Sequence, residues 1–318
     1  MQSASRGATS ATATMLRVGT RGSTLALTQA GEVRQRLAAI HGFPPERIAL
    51  RIIRTTGDTV RDRPLAEAGG KGLFTKEIEE ALIAGEIDIA VHSAKDMPTM
   101  IPSGLVIGAV PPREDARDVF ISRKATRLLD LPRCARVGTA SLRRQALVKR
   151  LRPDLAVVNF RGNVETRLQK LEAGAVDATL LALAGLKRLG LAEKGTTILS
   201  IDEFLPAVGQ GIIAIEARAE DTRVLALLAP LNDAVSASAL AAERSFLAEL
   251  DGSCRTPIAG HATVRAGRLE FRGLIARPDG SQCFEVERDG LAADAERLGK
   301  DAGHELKARA GADFFRTG

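Results

Sequence analysis

The chain has 318 residues, of which 45% are hydrophobic, and this is enough for the cores of two or three domains. Its formal net charge of +6 favours an acidic partner, but it has no Trp, no Tyr and only 10 Phe. Because stacking platforms for bases are scarce and no apolar run is long enough for a membrane span, we expect neither a nucleic-acid nor a membrane partner. The 3 Cys and 4 His lack metal-ligand spacing, so the sequence predicts no metal site and a reducing, cytoplasmic compartment.

The amino-terminal third begins with 14 small, polar residues, which are predicted to be a disordered tail because they lack the apolar segment of a secretory signal. A strand at 16–18 then leads into a helix at about 24–39, and a second strand, a second helix and a third strand are predicted up to residue 92. The Gly-rich, charged segment 57–72 interrupts this pattern, and a long irregular loop of this kind is typical of a lid over a ligand.

The same pattern returns in the middle of the chain. Apolar runs at 135–137, 155–160 and 176–183 are each followed by small residues and a helical pattern, which is typical of a parallel α/β sheet. The tetrapeptide RVGT occurs at both 17–20 and 136–139. The sequence therefore predicts two copies of one βαβαβ unit.

Two connections between these units are predicted. The segment 111–115 is a hinge into the second unit, and 205–211 ends that unit. An apolar strand follows at 211–216; if it returns to the first sheet, two crossings join the two lobes, as in two-lobed binding proteins with a ligand in the cleft.

The carboxyl-terminal part has a different composition. A helix is predicted at 234–250, followed by three strands joined by tight turns and a covering helix at about 292–309, which together make a small α+β domain with an antiparallel sheet. The predicted domains are 15–112 together with 211–230, then 113–210, and then 231–318.

Basic residues recur where the helices of the second unit begin. Arg143 and Arg144 lie in a first helical turn, Arg161 directly precedes the next helix and Arg167 is one turn into it. A helix N-terminus disfavours a cation by ~0.3–1 kcal/mol, whereas a bound anion would reverse the sign. A solvated basic face is the alternative, but the repetition favours an anion site at the carboxyl ends of the strands.

Two further side chains are candidates for chemistry. Asp96 follows Lys95 at the carboxyl end of the third strand, a good position for a general acid or base, although a capping Asp with a surface Lys is the alternative. Cys254 lies in a loop beside Arg255, an environment in which a thiol can be reactive, although a cysteine of this kind is more often inert.

Eight motifs, in order, resemble those of the porphobilinogen deaminase (hydroxymethylbilane synthase) family: GTRGSTLALTQA, GGKGLFTKEIE, DIAVHSAKDMP, GTASLRRQ, RGNVETRL, LAGLKRLG, LPAVGQG and GSCRTPIAG. The resemblance runs from about residue 16 to beyond residue 277. It implies an α/β fold with two periplasmic-binding-protein-like domains flanking a cleft, and a small third domain that presents a cysteine. It also implies a monomeric transferase that joins four porphobilinogen units head to tail into hydroxymethylbilane, with loss of ammonia at each step, in haem and porphyrin biosynthesis.

The resemblance also implies the site residues. Asp96 would be the catalytic acid/base, and Cys254 would carry a dipyrromethane cofactor through a thioether. The other implied cofactor contacts are Ser93, Lys95, Thr139, Ser141, Arg143 and Arg144, and the implied substrate contacts are Arg21, Ser23, Gln29, Arg161, Arg167 and Arg188. At Glu67 in the predicted lid and at Ala140, some relatives have a different residue, so neither position is included among the implied site residues.

The residues and the resemblance agree on the ligand. Porphobilinogen carries two carboxylates, so the growing chain gains two with each unit, and a cleft lined by arginines and helix N-termini suits such a polyanion. The alternative is a non-catalytic two-lobed protein that binds a polyanion. The third domain with Cys254 counts against it.

Overall fold

The structure, a computed structural model, describes residues 14–59, 72–250 and 256–315. Three predictions therefore lie outside the described residues, wholly or for the most part: the disordered tail, the lid at 57–72, and the loop that holds Cys254. They remain predictions.

In chain order the strands are β1 (Leu16–Thr20), β2 (Ile48–Ile52), β3 (Ile89–Ser93), β4 (Leu105–Ala109), β5 (Asp118–Ser122), β6 (Arg136–Gly138), β7 (Ala156–Val158), β8 (Ala178–Ala182), β9 (Thr197–Ile198), β10 (Ile213–Arg218), β11 (Ile258–Arg265), β12 (Arg268–Ala276) and β13 (Cys283–Leu291). The helices are α1 (Thr24–His41), α2 (Thr56–Thr59), α3 (Lys76–Ile83), α4 (Leu142–Leu151), α5 (Val164–Glu172), α6 (Leu183–Arg188), α7 (Thr222–Leu228), α8 (Ala234–Glu249) and α9 (Ala295–Ala310).

Two five-stranded sheets have the same strand order and the same directions. The first runs β2-β1-β3-β10-β4 and the second runs β7-β6-β8-β5-β9. In each sheet the first three strands are parallel and the last two are antiparallel to their neighbours. The predicted repeat and the return of the 211–216 strand to the first sheet are confirmed. Strands β4 and β5 were not predicted from the sequence. We call the first sheet with its helices lobe 1 and the second lobe 2.

The first helix of each lobe begins in the same way. Ser23 caps α1 by accepting a hydrogen bond from the Ala26 N–H, and Ser141 caps α4 by accepting one from the Arg144 N–H. Each cap satisfies a backbone donor that the helix itself leaves free, a contribution of about 1 kcal/mol. The apolar face of α1 packs on the sheet through Val33 and Leu37, which are almost fully buried. These caps and cores orient the start of each helix toward the carboxyl ends of the parallel strands.

The two crossings between the lobes contact each other. The Glu114 N–H donates to the Gly211 carbonyl at 3.2 Å. Gly211 has φ of +89°, and a Cβ at this position would lie 2.2 Å from the Glu114 oxygen. The close approach therefore requires glycine, and the crossings form one hydrogen-bonded hinge.

The carboxyl-terminal domain has the predicted antiparallel sheet, in the order β11-β12-β13. Helices α8 and α9 pack together on this sheet, and Phe246 of α8 contacts Phe271 of β12 with ring centroids 5.0 Å apart. The domain joins the hinge through Arg113, whose guanidinium donates to Glu243 at 2.6 Å. Glu243 is fully buried and also accepts from the Gly209 N–H, so one carboxylate links both crossings to α8.

Within the described ranges, no single helix is long and apolar enough to cross a bilayer. The segments Thr222–Leu231 and Ala234–Glu249 are long and apolar enough only when taken together, and the angle between them is 108°. The same ranges contain no group of three or more His, Cys, Asp or Glu side chains that could hold a metal ion.

Candidate active site

The end of β3 forms a tight turn at the cleft. After Ser93, residues Ala94–Asp96 form a single turn of 3-10 helix, and the Ala94 N–H donates to the Ile212 carbonyl of the second crossing at 3.0 Å. Ala94 and Met97 are buried, whereas Lys95 and Asp96 between them are exposed. The turn therefore presents one cation and one carboxylate to the cleft from a backbone held by its apolar neighbours. We call residues 94–97 the catalytic turn.

A pocket beside Asp96 brings five predicted site residues together. Its lining includes Arg21, Ser23, Gln29, Ser93 and Asp96. Two of them bind each other, since the Gln29 amide donates to Ser93 Oγ at 2.9 Å. The pocket is completed by Leu25, Ala26, Phe74, Thr75, Val91 and His92.

Phe74 orients the cation of this pocket. The Arg21 guanidinium carbon lies 4.1 Å from the centroid of the Phe74 ring, which is a cation–π contact. The sequence analysis did not predict this partner. The contact keeps the guanidinium beside the pocket, where it suits a carboxylate ligand.

In lobe 2, Arg143 and Arg144 are buried, with 5% and 6% of their surface exposed. Both pair with Asp118, the first residue of β5, at 2.7 Å each. Arg143 also donates to the Leu205 carbonyl, and Arg144 donates to the Leu180 carbonyl. The expectation that these cations are locally unfavourable without a bound anion is therefore wrong, because Asp118 already supplies the negative charge.

Asp118 is the main feature that the sequence analysis missed. Its carboxylate is fully buried and also accepts from the Gln210 amide at 3.2 Å, so it links the arginines to the second crossing. Burial opposes its ionisation, but the charges of Arg143 and Arg144 prevail and hold the pKa of Asp118 far below its usual range. The sequence did contain one indication of this role, because Asp118 is the first residue of the apolar run DVFIS that follows the hinge.

The cations of both lobes act on the catalytic turn. Lys95 keeps an exposed surface, but the surrounding protein reduces the hydration of its ammonium, and this desolvation lowers its pKa to about 8. Asp96 opposes the shift, whereas Arg144 and Arg143 add to it. Burial likewise lowers the pKa of Arg167 to about 10, with Arg144 adding to the shift and Asp96 opposing it. Asp96 is thus surrounded by cations from both lobes.

The remaining predicted residues have structural contacts. Thr139 is buried, and its hydroxyl accepts from the Ser141 N–H at 3.1 Å. Arg161 is half-buried before α5, and its carbonyl accepts from Lys170 at 3.1 Å. Arg188 bridges the lobes, because its guanidinium lies 3.4 Å from Glu32 of α1 and donates to the Gly211 carbonyl at 3.1 Å. The structure therefore places Arg188 at the hinge, away from the pocket lining.

The model of the porphobilinogen deaminase dipyrromethane cofactor-binding domain matches residues 16–226, and that of the porphobilinogen deaminase C-terminal domain matches residues 237–308. The chain belongs to the porphobilinogen deaminase family. A curated porphobilinogen deaminase from Nitrobacter winogradskyi is 63% identical over 298 residues, which is 94% of each chain. That from Nitrobacter hamburgensis is 62% identical over the same share.

Solved structures of binding proteins are similar only at a distance. A methionine-binding lipoprotein from Bacillus subtilis has a TM-score of 0.42 at 13% identity and covers 68% of this chain and 89% of its own. A periplasmic substrate-binding protein from Coxiella burnetii has a TM-score of 0.44 at 17% identity and covers 68% and 92%.

Membership of the family confirms the function predicted from the sequence. The chain is an enzyme, a porphobilinogen deaminase of tetrapyrrole biosynthesis with a dipyrromethane cofactor. The cationic residues around Asp96 fit a cofactor that carries several carboxylates. A non-catalytic binding protein is not favoured.

Proposed function

We propose that Asp96 is the catalytic acid/base of a deaminase that joins four porphobilinogen units head to tail into hydroxymethylbilane. The observation that carries this proposal is one exposed carboxylate, on a turn held by buried neighbours, among cations of both lobes. Lys95, Arg143, Arg144 and Arg167 would neutralise ligand carboxylates, and Arg21 with Ser23 would bind those of the incoming unit.

The reaction needs a carboxylate among these cations. Loss of ammonia from porphobilinogen leaves an electron-poor carbon, and the charge that develops is positive. Ionised Asp96 would stabilise this charge, accept a hydrogen bond from the pyrrole N–H, and take the proton that the pyrrole carbon releases after the new bond forms. Ser93 and Gln29 form the wall beside Asp96 and would orient the ring.

The test replaces Asp96 by Asn and by Glu. We expect Asp96→Asn to lower turnover by about 10²–10⁴-fold, because an amide neither offsets positive charge nor moves a proton. Asp96→Glu should lie between this variant and the wild type, since it keeps the charge but moves it by one methylene. Porphobilinogen consumption by each variant, with folding checked by thermal melting, provides the measurement. An Asn variant within a few-fold of the wild type would instead favour the capping role.

We also propose that Cys254 holds the dipyrromethane cofactor through a thioether, and that the enzyme is a cytoplasmic monomer with the domain boundaries predicted above. Support for Cys254 comes from the family and from the other two cysteines. Cys134 lies just before β6, at the edge of the sheet opposite the carboxyl ends of the parallel strands, and burial raises the pKa of the Cys283 thiol to about 11, which disfavours a thiolate there. Peptide mapping should find the adduct on Cys254 alone, and an adduct on Cys134 or Cys283 would contradict this.

A further inference from the structure

Helix α8 of the carboxyl-terminal domain lies directly against the catalytic turn. Leu240 and Ala237 of α8 pack in one cluster with Ala94 and Met97, the two buried residues that enclose Lys95 and Asp96. Gly209 of the second crossing approaches from another side, and a Cβ at this position would lie 3.0 Å from the backbone nitrogen of Lys95. The turn that carries Asp96 is therefore held by a different domain as well as by its own sheet.

Arg244 is the polar contact of α8 with this region. It is half-buried, and its Nη2 donates to the Pro98 carbonyl at 3.0 Å and to the Thr99 carbonyl at 2.9 Å. These carbonyls belong to the second and third residues after Asp96. Two hydrogen bonds from one charged group fix the direction in which the chain leaves the catalytic turn.

The charge of Arg244 has a buried counterpart in lobe 1. Burial lowers the pKa of Arg244, and the carboxylate of Glu216 on β10 opposes this shift. Glu216 is fully buried and lies 3.3 Å from Nε2 of His92, which precedes Ser93 on β3. Neither carboxylate oxygen of Glu216 has a hydrogen bond among the described residues. Glu216 thus interacts both with the guanidinium on α8 and with the strand that leads into the catalytic turn.

Other contacts hold α8 in place without Arg244. The Asp233 N–H, at the start of α8, donates to the Val110 carbonyl at 2.7 Å. Further along the helix, Glu243 accepts from Arg113 and from the Gly209 N–H. Loss of the Arg244 side chain should therefore leave the domain docked and release only the segment after Asp96.

We propose that Arg244 is a positioning residue that acts through Asp96. It ties the helix that precedes Cys254 in the chain to the backbone that follows the catalytic carboxylate. The inference rests on the proposed role of Asp96. Since a displacement of about 1 Å at a reacting group can lower a rate by about 10²-fold, the contact matters for turnover more than for folding.

The test is a double-mutant cycle between Arg244→Met and Asp96→Asn in the enzyme with its cofactor. Arg244→Met alone should lower kcat by about tenfold or more, with KM changed less than about threefold. In the Asp96→Asn background the same substitution should lower kcat by less than about threefold, because the group that it positions is gone. Arg244→Lys keeps the charge and should recover part of kcat.

The matched control is Arg218→Met. Arg218 lies at the other end of β10 and also donates to two backbone carbonyls of lobe 1, those of Leu82 and Ile87, but far from Asp96. The Arg218→Met substitution should leave kcat unchanged. Intact mass and thermal melting establish that every variant is folded and carries cofactor.

Two outcomes are distinguished. If Asp96→Asn alone is nearly silent, the proposed function fails and the Arg244 inference fails with it. If Asp96→Asn is severe but Arg244→Met is silent, or lowers kcat equally in both backgrounds, the role of Asp96 stands and the inference about Arg244 is overturned.

Discussion

Each of the two sheets carries a buried carboxylate on its fourth strand, but at a different position along it: Asp118 is paired with Ala182, the last residue of β8, whereas Glu216 is paired with Ala90, the second residue of β3. The fourth strand of lobe 1, β10, carries Glu216, and the fourth strand of lobe 2, β5, carries Asp118; both side chains are fully buried. Asp118 accepts hydrogen bonds from Arg144 and from the amide of Gln210, and it pairs with Arg143. Glu216 lies 3.3 Å from Nε2 of His92, and it also interacts with the more distant charges of Arg244 and of Glu79, a second buried carboxylate.

The difference shows how one scaffold supplies two halves of a site. In lobe 2 the buried carboxylate fixes two guanidinium groups at a helix N-terminus, and that lobe becomes the cationic wall. In lobe 1 no arginine occupies the first turn of α1, and the strand end instead carries Lys95 and Asp96. The repeat therefore places polar groups at the same sheet edge, and a few substitutions decide which charge they bear.

The comparison predicts unequal losses of stability. Asp118→Asn should lower the free energy of unfolding by about 3–5 kcal/mol, because it leaves two buried guanidinium groups without a counter-charge. Cofactor occupancy should fall too, since Arg143 and Arg144 lose the anchor that orients them. Urea denaturation and intact mass measure the two effects.

Glu216→Gln is the matched variant in lobe 1. It should change the free energy of unfolding by no more than about 1 kcal/mol, because the carboxylate has no hydrogen bond among the described residues to lose and a neutral amide is less costly to bury. Equal losses in the two variants would show that the buried carboxylates are equivalent, and the comparison would fail.

A smaller effect is expected in the pH dependence of substrate binding. The pKa of Lys95 is about 8, whereas that of Arg167 in lobe 2 is about 10. As pH rises through about 8, Lys95 loses its positive charge while the lobe 2 cations keep theirs, so the KM for porphobilinogen should increase by a few-fold.

Lys95→Arg should keep its charge and remove this increase. KM measured between pH 7 and 9.5 for both enzymes provides the test, and titration of the substrate amine affects both equally. The same increase in the Arg variant would assign the pH dependence to another group.

Much of this fold could be predicted from the sequence, because the repeated RVGT motif and the apolar runs specify local elements. The pairing of Arg143 and Arg144 with Asp118 could not, since it joins side chains 25 or more positions apart within lobe 2 and depends on the position of β5 in the sheet. Arg188 illustrates the same limit. Its motif implies a ligand contact, which stays a prediction, but its bonds to Glu32 and the Gly211 carbonyl could not be predicted because they depend on how the lobes meet.

The position of β10 has a consequence for the order in which the protein is assembled. All strands of the second sheet lie between β4 and β10 in the chain, yet β10 fills the gap between β3 and β4 in the first sheet. During synthesis, lobe 2 is thus complete before the last strand of lobe 1 emerges from the ribosome. Until then β4 has no neighbour among the described strands, and the edge of β3 beside Ser93 is open. The catalytic turn is among the last parts of the molecule to acquire its support.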